Sequence, residues 1–533
     1  MLNFIKKYHY IIIPFLTTLF YGVWGKDITD QGFIRGYAWR MYLGQMPYLD
    51  FIYARPPLSP ILQSLFYYSL PLAGSVIIER FRFYLFLYLA NYLSLEFLKK
   101  RYLLGENTLF YVVISFLISA GAFAPMAWHT VDGIFLSVLS IYILDKVQNK
   151  YILVSGVICF LACMTKQSFY PLPFFMSAFI LFDKSFYGKR IKSFFLFALS
   201  FLFSLSLFLI FLKQLGLING FIDQTVGATK FDDFLHAAFE VYFFDNLLKF
   251  LIGLIILIIL DRVGVLKLKV SLLISTLIVI FYYIYQAYNL VVLHDLMVFL
   301  RKGPQFLLII SVLWGGYRYF KNNELSLLLC ASVSWCASLS WGATYPTLLM
   351  APLLLPVFSN IKLNESKKIL ITLLLLIITW SIIVNLKRYR EPRIYEISKH
   401  LGSLDNKYFG ILSSDDTYKK FIKIKHLNQK YGKFALLPHF PDADFYLNQY
   451  PVLKIDWALD VEIGRSRNKF LNDFCDFPIK VLFDKDFLNL KVIYKNIYNI
   501  YSSPNKKILY EDSTWLLVVF NSSPSNLKIN CKN

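Results

Sequence analysis

Five charged side chains sit in one polar stretch, TDQGFIRGYAWRMYLGQMPYLDFIYARPPLSP (29–60): Asp30, Arg35, Arg40, Asp50 and Arg55. A carboxylate at the rim of an apolar environment is partly desolvated and gains basicity, which suits a general base. Asp30 is the candidate for that role. Arg55 precedes two prolines, which fix the backbone and end any preceding helix. A guanidinium held on so stiff a turn can grip a phosphate through two parallel hydrogen bonds. Each residue also has a plainer reading. Asp30 precedes Phe33, Ile34, Tyr37, Ala38, Met41 and Tyr42, which repeat at helical spacing, so it would cap that helix. The helix, closed by Gly44, is expected to lie on a membrane surface with Arg35 and Arg40 toward the headgroups. Arg55 would then be an interfacial anchor with its stem on apolar surface. Asp50, after Pro47 and Tyr48, reads as a residue that fixes the loop.

Further along, WHTVDG (128–133) puts His129 and Asp132 three residues apart at the entry to an apolar run. Asp132 suits the N-terminal end of a helix, where the dipole favours an anion. His129 is a candidate contact to a sugar hydroxyl or a phosphate. Lys166 in TKQ (165–167) is a candidate phosphate ligand with Gln167 beside it, and Arg301 and Lys302 are candidates for an anionic headgroup. Trp341 and Tyr345 read as interfacial belt residues, with stacking on a sugar face as the sharper alternative. A metal site needs three or four converging ligands. His129, Asp132 and Asp30 could supply them only if the fold brings them together, so no cofactor is expected and a divalent metal is unsupported.

What must position these residues is a membrane-spanning scaffold. The 533 residues are 57% hydrophobic and only 17% charged, against roughly 25% charged for an average soluble domain. Apolar runs fall near 9–25, 79–98, 107–124, 131–146, 151–165, 168–182, 190–213, 246–262, 270–290, 303–320, 324–340, 345–358 and 368–386. These imply a polytopic α-helical membrane protein with about 11–13 transmembrane helices. With Lys6 and Lys7 placed inside, every alternate loop carries at least two basic residues, among them Lys99, Lys100 and Arg101, as the positive-inside rule requires. The net charge of +21 is therefore a topology signal. No basic stripe with interleaved aromatics suits a nucleic acid. The opposite loops collect 26–60, 125–133, 165–167, 214–245, 291–303 and 340–346, so the candidate residues share one outer side.

The N-terminus, with a basic flank and no small-residue cleavage site, reads as an uncleaved first helix. An odd helix count puts the polar tail outside as well. Within it, KYFGILSSDD and KFALLPHFPD read as strands ending in turns, and TYKKFIKIKHLNQKYG as a helix closed by Gly432. IKVLFD and TWLLVVF are further strands. The expected organisation is a membrane domain over 1–386, with its first outer loop at 26–60, and an extracytoplasmic α/β domain over 387–533. Cys159, Cys163, Cys330 and Cys336 fall in apolar runs and read as packing residues. Cys475 and Cys531 could pair in an oxidising compartment.

Asp-Gln-Gly followed by an amphipathic helix, then G-x-x-P-Y, then a basic residue before Pro-Pro-Leu resembles the first outer loop of GT-C glycosyltransferases. Within these it is most similar to the protein O-mannosyltransferase and lipid A aminoarabinose transferase group (family 39-like). The resemblance is strong over 26–60, weaker over the helices and absent from the tail. It implies GT-C architecture and an inverting transfer of a sugar from a polyprenyl-phosphate donor to a hydroxyl of a lipid, glycan or protein. It further implies Asp30 and Asp132 as the acidic residues of the reaction, and Arg55, Lys166, Arg301 and Lys302 as donor-phosphate ligands. Gln31, His129, Gln167, Trp341 and Tyr345 would contact substrate. Where the family has Asp-Glu, this chain has Asp30-Gln31, and an amide cannot take a proton, so the base role falls on Asp30 alone. The implied location is a bacterial inner membrane with a cytoplasmic N-terminus, among membrane lipids. A transporter or flippase of lipid-linked sugars is the rival reading. It would want polar residues near the bilayer midplane and often internal repeats, and neither is present.

Overall fold

The computed structural model describes residues 2–102, 104, 108–121, 123–225, 296–339, 346–358, 392, 394–438, 440–475, 478–488 and 494–521. Its first part is helical. Helix α1 (Leu2–Thr17) continues through a π turn (Thr18–Gly22), and the polar stretch then carries α2 (Phe33–Tyr42) and α3 (Leu58–Ser69). After these come α4 (Ser75–Tyr102), α5 (Thr108–Gly121), α6 (His129–Leu144), α7 (Asn149–Cys163), α8 (Leu172–Phe182), α9 (Arg190–Gln214) and α10 (Ile218–Thr225). The last helices of this part are α11 (Leu296–Asn322), α12 (Ser326–Ser338) and α13 (Ala351–Phe358). All but α2, α3 and α10 fall on apolar runs named above. The runs 246–262, 270–290 and 368–386 lie outside the described residues.

Among the described residues one helix, Arg190–Gln214, is by itself long and apolar enough to cross a bilayer, and five apolar helices are shorter. On α9 the side chains of Ile191, Phe195, Leu199, Phe203 and Ile210 are each more than half exposed. Apolar surface on this scale is what a helix offers to lipid rather than to water. Between helices, small polar residues do the joining. Ser140 and Ser155 exchange hydrogen bonds to each other's carbonyls at 2.8 and 2.9 Å across α6 and α7. A Cβ on Gly156 would lie 1.9 Å from Ser200 Oγ, so α7 and α9 approach at a distance only glycine allows. Helices in lipid pack through small residues in the same way.

Helix ends assigned to the inner side meet one another. Arg101 pairs with Asp145 at 2.5 Å, and Arg318 with Glu324 at 2.7 Å. Of the loops assigned to the outer side, 26–60 meets the tail.

The tail opens with the antiparallel pair β1 (Ile397–His400) and β2 (Leu412–Ser414). Helix α14 (Asp415–Tyr431) follows at once, capped by the Ser414 hydroxyl on Thr417 N at 3.2 Å. The SSDD sequence is therefore a helix start, not a strand-ending turn, because an N-cap serine followed by two aspartates suits the first turn of a helix. Gly432 ends that helix at φ 75°, a conformation only glycine adopts at little cost. A four-stranded sheet contains β3 (Ala435–Leu437), β4 (Ile479–Asp484), β5 (Lys507–Glu511) and β6 (Trp515–Phe520) in the order β3-β4-β6-β5. Only the β3–β4 pair is parallel. Short helices α15 (Ala443–Leu447), α16 (Asp460–Ile463), α17 (Arg467–Asn472), α18 (Lys485–Leu488) and α19 (Lys495–Tyr501) fill the connections.

The tail packs directly over α2, and this corrects the expectation of a helix lying at the headgroups. Phe33 through Arg40 are all buried. One side of α2 joins a cluster with Leu453, Trp457, Phe470 and Phe483, and the other side joins Phe440, Phe445 and Trp515. Arg35, 1% exposed, pairs with Glu79 of α4 at 3.0 Å and with Asp442. From Nε, Arg40 binds both oxygens of Asp456 at 2.8 and 2.9 Å. Two glycines make the approach possible: a Cβ on Gly32 would meet Asp442 Oδ1 at 2.5 Å, and one on Gly36 would meet the Pro441 carbonyl at 2.0 Å. The Asp30 cap is corrected too. A 3-10 turn, Asp30–Gly32, leads into α2, whose cap position is Gly32 with no side-chain cap bond.

The tail carries its own pH response. Burial, with Asp456 beside it, pushes Asp444 up to about 7, Arg40 opposing. Gln449 Nε2 donates to its carboxylate at 2.5 Å. A carboxyl held above its unfolded value costs stability as pH rises from about 4 through about 7, since the unfolded chain ionises first. Asp444→Asn is expected to stabilise the tail by on the order of 1–3 kcal/mol at pH 8, discounted for partial exposure, and by less at pH 5. Thermal unfolding in detergent at the two pH values checks this, and an equal gain at both would reject it.

Candidate active site

The G-x-x-P-Y and Arg-Pro-Pro-Leu elements prove to be one device. Tyr48 adopts φ 70°, a strained value for a residue with a side chain. Several bonds hold it there: its N–H donates to Phe51 O at 3.0 Å, and its carbonyl accepts from Gln224 Nε2 at 3.1 Å and Lys469 Nζ at 2.9 Å. Its hydroxyl then donates to the Arg55 carbonyl at 2.6 Å. Asp50 closes the turn by accepting from Met46 N at 2.7 Å. The strained turn thus sets the backbone of Arg55, and its guanidinium lies 4.6 Å from the Phe33 ring centroid.

Around Phe33 the structure gathers residues from four parts of the chain. His129 lies edge-on at 6.1 Å and Tyr53 at 6.3 Å between centroids, and Trp457 of the tail at 5.3 Å. Neither ring nitrogen of His129 nor the Tyr53 hydroxyl has a hydrogen-bond partner among the described residues, which is uncommon for groups so buried. Lys166, also buried, donates to Thr130 Oγ1 at 3.1 Å. Burial and the neighbouring Arg55 hold its ammonium well below the usual lysine range, with Glu462 opposing. Gln167 Nε2 donates to Ala54 O at 2.7 Å and Thr225 O at 3.2 Å, so it fastens α10 to the strand of chain leading into Arg55. The guanidinium fork of Arg55 is occupied: Nη1 and Nη2 donate to the two oxygens of Glu462 at 2.7 and 2.6 Å.

Asp132 lies near by but is engaged elsewhere. Both its oxygens accept from Arg82 Nη2 at 3.2 Å, and Arg82 also donates to Gln63 Oε1 at 2.8 Å. Glu79, one helical turn away from Arg82, accepts from Ala127 N at 2.9 Å as well as from Arg35. The sequence reading missed Glu79, Arg80 and Arg82, although charge inside an otherwise apolar run is itself a functional signal. It also missed Asp442, Asp456 and Glu462, for which nothing in the tail marked a role.

Asp30 is half-buried, three residues before Phe33. Its loop is held by Arg80, which donates to the carbonyls of Gly22 and Gly25 and to Gln31 Oε1 at 3.1 Å. Gln31 is thus a buried strut of the loop. Just before Asp30, a cleft of about 640 Å³ opens between Lys26–Thr29 and the tail, where Lys419, Lys420, Asp486 and Asp512 line it. Arg301 and Lys302 fall on the first part of α11, of which only the backbone is described, and Trp341 and Tyr345 lie outside the described residues. Among the described residues no three His, Cys, Asp or Glu side chains group to hold a metal ion.

No family model matches the chain, and no curated protein matches its sequence. Solved structures of the Archaeoglobus fulgidus oligosaccharyltransferase align along nearly all of it. With AglB in complex with an inhibitory peptide and a dolichol-phosphate, identity is 13% over 99% of this chain and 75% of that one, at a TM-score of 0.41. With the enzyme tethered to an acceptor peptide containing the NVT sequon, identity is 11% over 98% and 75%, at 0.42. The complex with Zn and sulfate gives 14% over 96% and 73%, at 0.39. At TM-scores below 0.5, these likenesses by themselves identify neither the family nor the activity of this chain.

Proposed function

We propose that the chain is an inverting glycosyltransferase of GT-C type, moving a sugar from a polyprenyl-phosphate donor to an acceptor hydroxyl at the outer face of a bacterial inner membrane. The reading treats 1–386 as the membrane domain and 387–533 as an extracytoplasmic domain closing over its first loop. The observation that carries it is the grouping of Arg55, His129 and Tyr53 around Phe33, with Lys166 a neighbour of Arg55 and His129, next in the chain to the turn that bears Asp30. A half-buried guanidinium, a buried lysine and orphaned polar groups form a setting for an oxygen-rich anion.

In this mechanism the donor phosphate lies against Arg55 and Lys166. The acceptor, a lipid, glycan or protein, enters through the cleft beside Lys26–Thr29. Asp30 takes the proton of its hydroxyl as that oxygen attacks the anomeric carbon. The bond from that carbon to the phosphate oxygen breaks, and the phosphate leaves with the electron pair. The cations stabilise the growing charge where water is excluded. Lys166 regains a stable ammonium when the anion arrives. Asp132, held by Arg82, orients the acceptor. Arg301 and Lys302 hold the headgroup, Trp341 and Tyr345 stack on the sugar, and Gln31 and Gln167 support the loops.

The test is turnover of a panel of radiolabelled polyprenyl-phosphate sugars by the purified protein in detergent with total membrane extract as acceptor. At least one donor is expected to release polyprenyl phosphate. No release from any member of a broad panel would reject the donor class.

A further inference from the structure

Glu462 is the only described side chain reaching this site from the tail as an acid on Arg55, and no role has been assigned to it. It is 5% exposed and makes two short bonds, at 2.6 and 2.7 Å, to the end of the guanidinium. That end-on fork is the geometry by which arginine takes a phosphate. A carboxylate and a phosphate cannot both fill it. Glu462 has only two oxygens, and both are spent on Arg55. Lys166, the His129 ring and the Tyr53 hydroxyl are left with Thr130 as the one hydroxyl partner between them. A phosphate, with more oxygens, could satisfy Arg55 and these neighbours together.

The carrier of Glu462 is short. Helix α16 has four residues and ends at Gly464, whose φ of 48° is left-handed. Its first residue, Asp460, is tied outward to Lys495 N at 2.9 Å and Asn496 Nδ2 at 2.7 Å on α19. No further hydrogen bond from the Glu462 side chain to the tail is among those described, so Arg55 is the contact to be broken.

We infer that Glu462 is a stand-in for the donor phosphate: its carboxylate holds Arg55 until the donor enters by exchanging its phosphate for it, which frees the Glu462 side chain. Donor loading is thereby coupled to the tail. The inference rests on the lipid-phosphate donor proposed above.

The experiment is binding of polyprenyl monophosphate to the full chain in detergent, for the wild type, Glu462→Gln, Glu462→Asp and Arg55→Ala. Glu462→Gln, which removes the competing charge, is expected to bind about tenfold tighter, a change of roughly 1.4 kcal/mol. Glu462→Asp, which keeps the charge on a shorter arm, should fall between it and the wild type. Arg55→Ala should bind at least tenfold more weakly. If the wild type binds and both Glu462 variants bind equally or more weakly, Glu462 merely positions Arg55 and the exchange is wrong. If wild type and variants all fail to bind, the donor class itself fails and the exchange with it. Inorganic phosphate, titrated in the same way, separates the two sources of the anion. Tightening for both ligands supports exchange at a site that reads phosphate alone, and tightening for the lipid only supports exchange with the chain also read.

Discussion

Asp30→Asn is expected to remove the proposed glycosyl transfer from a polyprenyl-phosphate sugar while the protein stays folded. A positioned general base contributes about 10²–10⁴-fold to rate, and the amide has nearly the same shape but no basicity. Two features make the separation from folding clean. Asp30 is half-buried, and the cap of α2 is Gly32 rather than the aspartate side chain. Arg80 also holds the loop around it, on the carbonyls of Gly22 and Gly25. A steady-state assay with a donor that turns over in the panel, run beside thermal unfolding, decides the matter. Full activity with unchanged melting would remove Asp30 from the chemistry. Loss of both activity and melting temperature would make it a structural residue. Gln31 cannot take over the proton, because an amide is not basic and its oxygen already accepts from Arg80.

Asp442→Ala undocks the tail, with a loss of roughly 3–5 kcal/mol, the range seen when one member of a buried ion pair is removed. Asp442 is fully buried, lies 3.2 Å from Lys26 Nζ, and accepts from Arg35 and, at 3.0 Å, from the Tyr408 hydroxyl. Burial alone would raise its pKa, but Lys26 and Arg35 outweigh that and leave it below the usual carboxylate range. Its stabilisation is therefore present above about pH 4 and fades only as pH falls through that lowered value. This is opposite in sign to Asp444. Without the carboxylate, Lys26 and Arg35 keep buried charge with a missing partner. The expected result is a lower melting temperature in detergent and proteolytic cleavage between the helical part and the tail. Wild-type melting and an unchanged digestion pattern would show that apolar packing on α2 suffices.

These two residues also mark what could be read without coordinates. The stretch holding Asp30 and Arg55 stood out because polar chemistry beside apolar runs is rare and local. The loop device of Tyr48, Asp50 and Arg55 was legible as a motif, although not as a hydroxyl bonded to a carbonyl seven residues on. Asp442, Asp456 and Glu462 carried no such signal. An acid in a polar tail looks like any solvated acid until the fold sets it against an arginine more than 400 residues away.

The helices, their ends and most of the tail's strands follow from apolar periodicity, caps and glycines, all of which act within a few residues of chain. The placement of α2 does not. Its alternating aromatics and arginines suit a headgroup surface as well as a protein interior, because both offer apolar contact on one side and anions on the other. Gly32 and Gly36 decided between them by letting the backbone at Pro441 and Asp442 come within contact. Thus the sequence by itself determined a chain of apolar helices interrupted by one polar, arginine-bearing loop. Only the tertiary structure decided that this loop lies beneath the tail and that its key arginine is already held, since ion pairs between distant segments leave no local trace.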